Sequence, residues 1–141
     1  MTLGRYEDEI YDILTTDYSL NTEVKNEDDR VVLRANCSID ALGDEDILLS
    51  ITVFDNEEAF VTFTLDKLYE DEESLELVNA VNREQKVFQA CIDDEGYVVL
   101  SHYVYNAGGP ASFGDTVKFC LNKFVSDTVL DLVEPICELT D

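Results

Sequence analysis

The sequence predicts an α+β domain, an antiparallel sheet of about five strands with helices packed on one face, in the order α-β-β-β-α-β-β-α. Three observations carry this expectation. Residues 31–65 hold three runs in which apolar residues recur every second position, separated by turn-rich breaks. Residues 86–105 hold two further strand-like runs around a short acidic turn. The segments before, between and after these runs change to helical period.

The first element, RYEDEIYDILTTD at residues 5–17, places Tyr6, Ile10, Ile13 and Leu14 at helical spacing with acidic residues between them. Residues 19–25 are expected to add an edge strand. In VVLRANCSI, Val31, Leu33, Ala35, Cys37 and Ile39 share one face, and Val32, Arg34, Asn36 and Ser38 share the other. The cluster DALGDED, residues 40–46, turns the chain into ILLSITVF, where Ile47, Leu49, Ile51 and Val53 alternate again. Asp55, Asn56, Glu57 and Glu58 form a hairpin connection to AFVTFTL, in which Val61, Phe63 and Leu65 alternate with Phe60, Thr62 and Thr64.

A helix follows with Leu75, Val78 and Val81 on one face, acidic residues in its first turn, where the helix dipole favours them, and Asp71 as its expected N-cap. KVFQACI and YVVLSHYVY then flank Asp93, Asp94, Glu95 and Gly96 as a second hairpin. Residues 106–110 break the pattern. Ser112 or Asp115 is expected to cap one final helix carrying Val117, Cys120, Leu121, Phe124, Thr128 and Leu132, which Pro135 should end or kink near residue 134.

With 45% hydrophobic residues in 141, the chain can bury a core, and one domain, 1–141, is expected. The start lacks a basic segment followed by an apolar stretch, and no run approaches 18 apolar residues, so a soluble, cytoplasmic protein without membrane contact is expected.

Charge is the strongest functional signal: 32 Asp plus Glu against 9 Lys plus Arg give a net charge of −23. Such an imbalance speaks to surface and association rather than fold. A compact domain of this length is about 37 Å across, and duplex DNA of that length carries about 22 charges. An acidic decoy that occupies the basic groove of a DNA- or RNA-binding protein, such as a defence nuclease, therefore stands as one reading. Direct nucleic-acid binding is excluded, because the few cations are scattered and phosphate repulsion would be severe. Adaptation to extreme salt fits poorly with eight Asn and four Cys.

No residue set meets the requirements of catalysis, and neither an enzyme, a cofactor nor a metal is expected. Cys37, Cys91, Cys120 and Cys137 are widely spaced without C-x-x-C, and read as reduced, buried small hydrophobes. His102 beside Cys91 on the partner strand is a conceivable nucleophile–base pair, but no third orienting residue accompanies it. In GGPASFGD, Pro110 occupies the first glycine position of a nucleophile elbow, so Ser112 reads as a cap, and the adjacent glycines read as a turn. The acidic loops Asp44-Glu45-Asp46 and Asp93-Asp94-Glu95 lack the spacing that wraps oxygens around calcium.

The candidate partner-binding residues are therefore Tyr97, Tyr103 and Tyr105, which project to one strand face, and the carboxylates Asp44, Glu45, Asp46, Asp93, Asp94 and Glu95. Burial of the tyrosines against a helix or a second copy of the chain is the competing reading of that face.

The stretch LELVNAVNREQKVFQACIDDEGYVVLSHYVY, residues 75–105, resembles the bacterial YbjN-like family with the type III secretion chaperone-like fold. The resembling features are a helix ending in Asn79 and Asn82, a strand, an acidic Gly turn, a long strand and an amphipathic closing helix. The resemblance implies a non-enzymatic, frequently dimeric protein that holds extended segments of other proteins, and it carries over no catalytic residues. A chaperone-like or adaptor module with a protein partner, a basic one being favoured by the charge, and the acidic decoy are the two functional expectations.

Overall fold

Each alternating run has one apolar face to bury, and a sheet covered on one side satisfies all of them together. The computed structural model describes residues 3–39, 45–67 and 72–139. Helix α1 (Leu3–Asp12) runs into a π-helical turn (Ile13–Asp17). Strands β1 (Thr22–Asn26), β2 (Arg30–Ile39), β3 (Glu45–Phe54) and β4 (Ala59–Lys67) follow, then helix α2 (Glu72–Glu84). Strands β5 (Gln89–Ile92) and β6 (Tyr97–Val104) precede helices α3 (Pro110–Phe124) and α4 (Asp127–Leu139).

The six strands form one antiparallel sheet in the order β1-β2-β3-β4-β6-β5. Cross-strand rows explain the core. Ala35, Leu49, Phe63, Leu100 and Ala90 align across five strands, all buried, and Leu33, Ile51 and Val61 form the next row. These side chains share one core with Tyr6, Ile10, Phe113, Val117, Phe124, Val129 and Val133 from the helices. Phe63 stacks on Phe124 with ring centroids 4.0 Å apart and meets Phe88 edge-on at 5.6 Å, joining sheet, helix and the entry to β5. Helix α1 crosses α3 at Gly114, where an added Cβ would lie 2.9 Å from Ile13 Cδ1.

The α+β class and the single covered face are as the sequence predicts, while several boundaries differ for identifiable reasons. There are six strands rather than five, because the edge run is a full sheet member, and it spans 22–26 rather than 19–25. Ser19 adopts φ 55° and the Leu20 N–H donates to the Leu14 carbonyl at 2.8 Å, which closes the first helical segment and delays the strand. That segment is α-helical only to Asp12, and the wider π turn keeps both Ile13 and Leu14 buried.

The closing helix is two helices. Ser126 Oγ donates to the Lys123 carbonyl at 2.6 Å, and the Ser126 carbonyl accepts from Val129 and Leu130, so one residue stops α3 and starts α4. Neither Ser112 nor Asp115 caps α3. Gly109 holds that position at φ 97°, a conformation favouring glycine, and Pro110 occupies the first helical position. Pro135 lies inside α4 instead of ending it. The expected cap Asp71 lies outside the described residues.

Candidate functional site

Alternation leaves the second face of the sheet with the residues the core did not take, and among the described residues no helix contributes to it. Across β2, β3, β4 and β6, Val32, Thr52, Phe60 and Tyr103 form one row, and Arg34, Ser50, Thr62 and Ser101 form the next. Asn36, Leu48, Thr64 and Val99 form a third. In a chain of net charge −23, these three rows carry one formal charge, on Arg34. That cation forms no ion pair among the described residues.

One end of this face is aromatic. Phe54 meets Phe60 at 5.8 Å, Phe60 meets Tyr103 at 4.6 Å and Tyr103 meets Tyr105 at 4.8 Å, a continuous run of rings. The Arg30 guanidinium, 4.9 Å from the Phe54 ring centroid, extends it onto β2. Tyr103 is 38% exposed and Tyr105 80% exposed, so the run is presented to solvent. Partial desolvation, with the Glu58 carboxylate as acceptor, holds the Tyr103 phenol above the ordinary tyrosine range.

Carboxylates gather at the same end. Asn26 Nδ2 donates to Glu7 at 2.9 Å, the Asp55 N–H donates to the Asp29 carbonyl at 2.9 Å, and the Tyr6 hydroxyl donates to Glu57 at 3.3 Å. These contacts draw α1, the turn at 27–29 and the turn at 55–58 into one acidic pole beside the rings. Lys25 and Arg30 are the cations there, already paired with Glu27 and Asp29 at 3.1–3.5 Å.

The sequence-selected residues divide between the two ends. Tyr103 and Tyr105 come together in the aromatic run, whereas Tyr97 starts β6 at the opposite end. There it lines a shallow depression of about 650 Å³ with Asp46, Leu48, Thr64 and Glu95. Asp93 is structural, its Oδ1 accepting from the Glu95 and Tyr97 N–H groups at 2.9 Å to close the hairpin. Asp94 is exposed at the tip. Asp44 lies outside the described residues, and for Glu45 only the backbone, at the start of β3, is described. Phe54, Phe60, Arg30 and Glu58 escaped selection. The signal for Phe60 was present, since it alternates out of phase with Val61, Phe63 and Leu65, but Phe54 joins the run only through strand register.

The two sheet edges are unlike. Asn82, projecting from α2, uses Nδ2 to donate to the Ala90 carbonyl at 2.9 Å and Oδ1 to accept from the Ala90 N–H at 2.7 Å. A side-chain amide thereby stands in for a seventh strand and closes the β5 edge. Gln85, 6% exposed, bonds the Val81 and Phe88 carbonyls and the Phe88 N–H at 2.6–2.8 Å, steering the chain into β5.

Cys91 and His102 do not meet. Cys91 pairs with Val99 on the open face, while His102 shares the buried-side row of Val61 and lies 2.8 Å, through Nδ1, from the Val87 carbonyl. The expectation that all four thiols are buried holds for Cys120 and Cys137 but not for Cys91, exposed on edge strand β5, or for Cys37, half-buried. Burial pushes the Cys120 thiol up to about 12 and Cys37 to about 11, far from nucleophilic thiolates. Among the described residues no cluster of His, Cys, Asp and Glu could hold a metal ion, and no helix is long and apolar enough to cross a membrane. Compared with known families and curated proteins, the chain matches no family model and no curated sequence.

Proposed function

We propose that this chain is a non-enzymatic, cytoplasmic protein-binding module that holds a segment of another protein on its open sheet face. The observation that carries the reading is the solvent-presented run Phe54–Phe60–Tyr103–Tyr105, lying beside three central rows that carry one formal charge and ending against an acidic pole. Clustered aromatics of this kind anchor interfaces by burying large area at low entropic cost. The neighbouring carboxylates add a preference for basic residues flanking the apolar part of the segment, mostly by accelerating encounter. The order of elements and the acidic character also support kinship with the YbjN-like, secretion-chaperone-like scaffold as part of this proposal.

The acidic pole favours a second reading, the decoy for a nucleic-acid-binding protein, because Glu7, Asp29, Asp55 and Glu57 are drawn together from three separate segments. Salt separates the two, since exposed charge interactions are screened over about 10 Å at 0.1 M while apolar burial is not. The test is affinity capture from host lysate at low and high salt with the wild-type chain and the double variant Tyr103→Ser, Tyr105→Ser. A partner retained at high salt by the wild type and lost by the variant supports the aromatic face. Salt-labile capture of a nucleic-acid-binding protein, indifferent to the tyrosines, would replace this reading with the decoy.

A further inference from the structure

We propose that β1 is the seat of a symmetric contact with a second copy of this chain, the two β1 strands pairing antiparallel about Val24 and joining the sheets edge to edge. The two edges of the sheet differ in what covers them. Asn82 occupies the outward backbone groups of Ala90 on β5, whereas among the described residues no backbone hydrogen bond reaches β1 from its far side. An open edge is a template for another strand.

Hydrogen-bond phase identifies the groups on offer. The Glu27 N–H donates to the Arg30 carbonyl at 2.8 Å, and antiparallel ladders alternate, so Lys25 and Glu23 bond inward to Val32 and Arg34. The N–H and C=O groups of Thr22, Val24 and Asn26 therefore point outward. Pairing about Val24 matches Val24 with Val24 of the second copy, and Thr22 with Asn26, using all of these groups.

The side chains select the same register. Glu23 and Lys25 are exposed and lie on one face of the strand, while Val24 packs against the core from the other. With Val24 on the two-fold axis, Glu23 of each copy stands opposite Lys25 of the other, twice. Sliding the strands by two residues sets Glu23 against Glu23 in one direction and Lys25 against Lys25 in the other. A one-residue slip instead turns the charged face inward. Among the registers within two residues of full overlap, this one alone is free of like-charge opposition, and the sequence TEVKN is self-complementary, as an isologous contact requires. Lys25 now pairs with Glu27 at 3.5 Å with both side chains exposed, a contact weak enough to be exchanged. The open face with its aromatic run stays uncovered, so this inference stands independently of the proposed function.

The test is sedimentation velocity over a concentration series at about 0.15 M salt, where the Debye length is about 8 Å. Four proteins are compared: wild type, Lys25→Glu, Glu23→Lys, and the double exchange Glu23→Lys, Lys25→Glu. The wild type and the double exchange should form dimers, while each single variant should associate about tenfold or more weakly, with an unchanged circular dichroism spectrum. A wild type that stays monomeric up to millimolar protein, or four proteins that associate alike, would overturn the proposal.

Discussion

Asn82 carries more of the fold than its position in an ordinary amphipathic helix implies. Its amide satisfies both backbone groups of Ala90, and without it a donor and an acceptor at the sheet edge lose their partner. Loss of such a side chain leaves groups whose desolvation costs about 1–3 kcal/mol. Asn82→Ala should therefore lower the unfolding free energy by about that amount in urea titration, whereas Asn79→Ala, exposed on the same helix, should stay within about 0.5 kcal/mol. Equal effects from the two substitutions would refute the edge-closing role. Asn82 entered the sequence reading only as one of two asparagines ending the helix in the family resemblance, and its partner did not: periodicity assigns faces, and only the placement of α2 beside β5 assigns the amide to Ala90. Tyr103 and Tyr105 were legible for the opposite reason, since strand alternation alone sets them on the open face.

At the level of elements, burial decided the outcomes that local signals missed. Pro135 removes the hydrogen bond to the residue 131 carbonyl and by itself disfavours helix by about 3 kcal/mol. Val129, Val133 and Ile136 are fully buried from α4, each contributing roughly 1.5–3 kcal/mol on burial, which outweighs that cost and carries the helix through to Leu139. The break falls instead at Ser126, where a hydroxyl offers the last turn of α3 an alternative partner. Pro135→Ala should restore the missing bond while loosening the unfolded chain slightly, for a net gain of about 2 kcal/mol. Thermal unfolding measures this directly, and a lower midpoint would show that the proline ring is required by the packing of α4. The meander β2-β3-β4 and the hairpin β5-β6 were readable because their alternation and turn residues agree. The split of the last helix was not, because Ser126 is unremarkable in composition and acts only through its hydroxyl geometry.

Over the whole molecule, the fold class followed from patterning and the charge from counting, but the arrangement of that charge did not. The acidic pole is built from α1, the β1–β2 turn and the β3–β4 turn, brought together by strand register across positions up to 51 apart, as between Tyr6 and Glu57. Concentrating carboxylates beside a nearly neutral face raises their mutual repulsion in the folded state relative to the expanded chain. The compensating ion pairs among the described residues are exposed, with every side chain at least 37% accessible, and such pairs contribute little. Added salt therefore screens a large unfavourable term and only a small favourable one. Raising NaCl from about 0.01 M to about 0.5 M shortens the Debye length from roughly 30 Å to a few ångströms, less than the spacing of most like charges on the surface. The melting temperature at neutral pH should rise over this range, with most of the gain below about 0.1 M, where the screening length passes through the dimensions of the pole. A melting temperature that is flat or falls with salt would mean that the ion pairs outweigh the repulsion, and that the acidic pole is held together at no electrostatic cost.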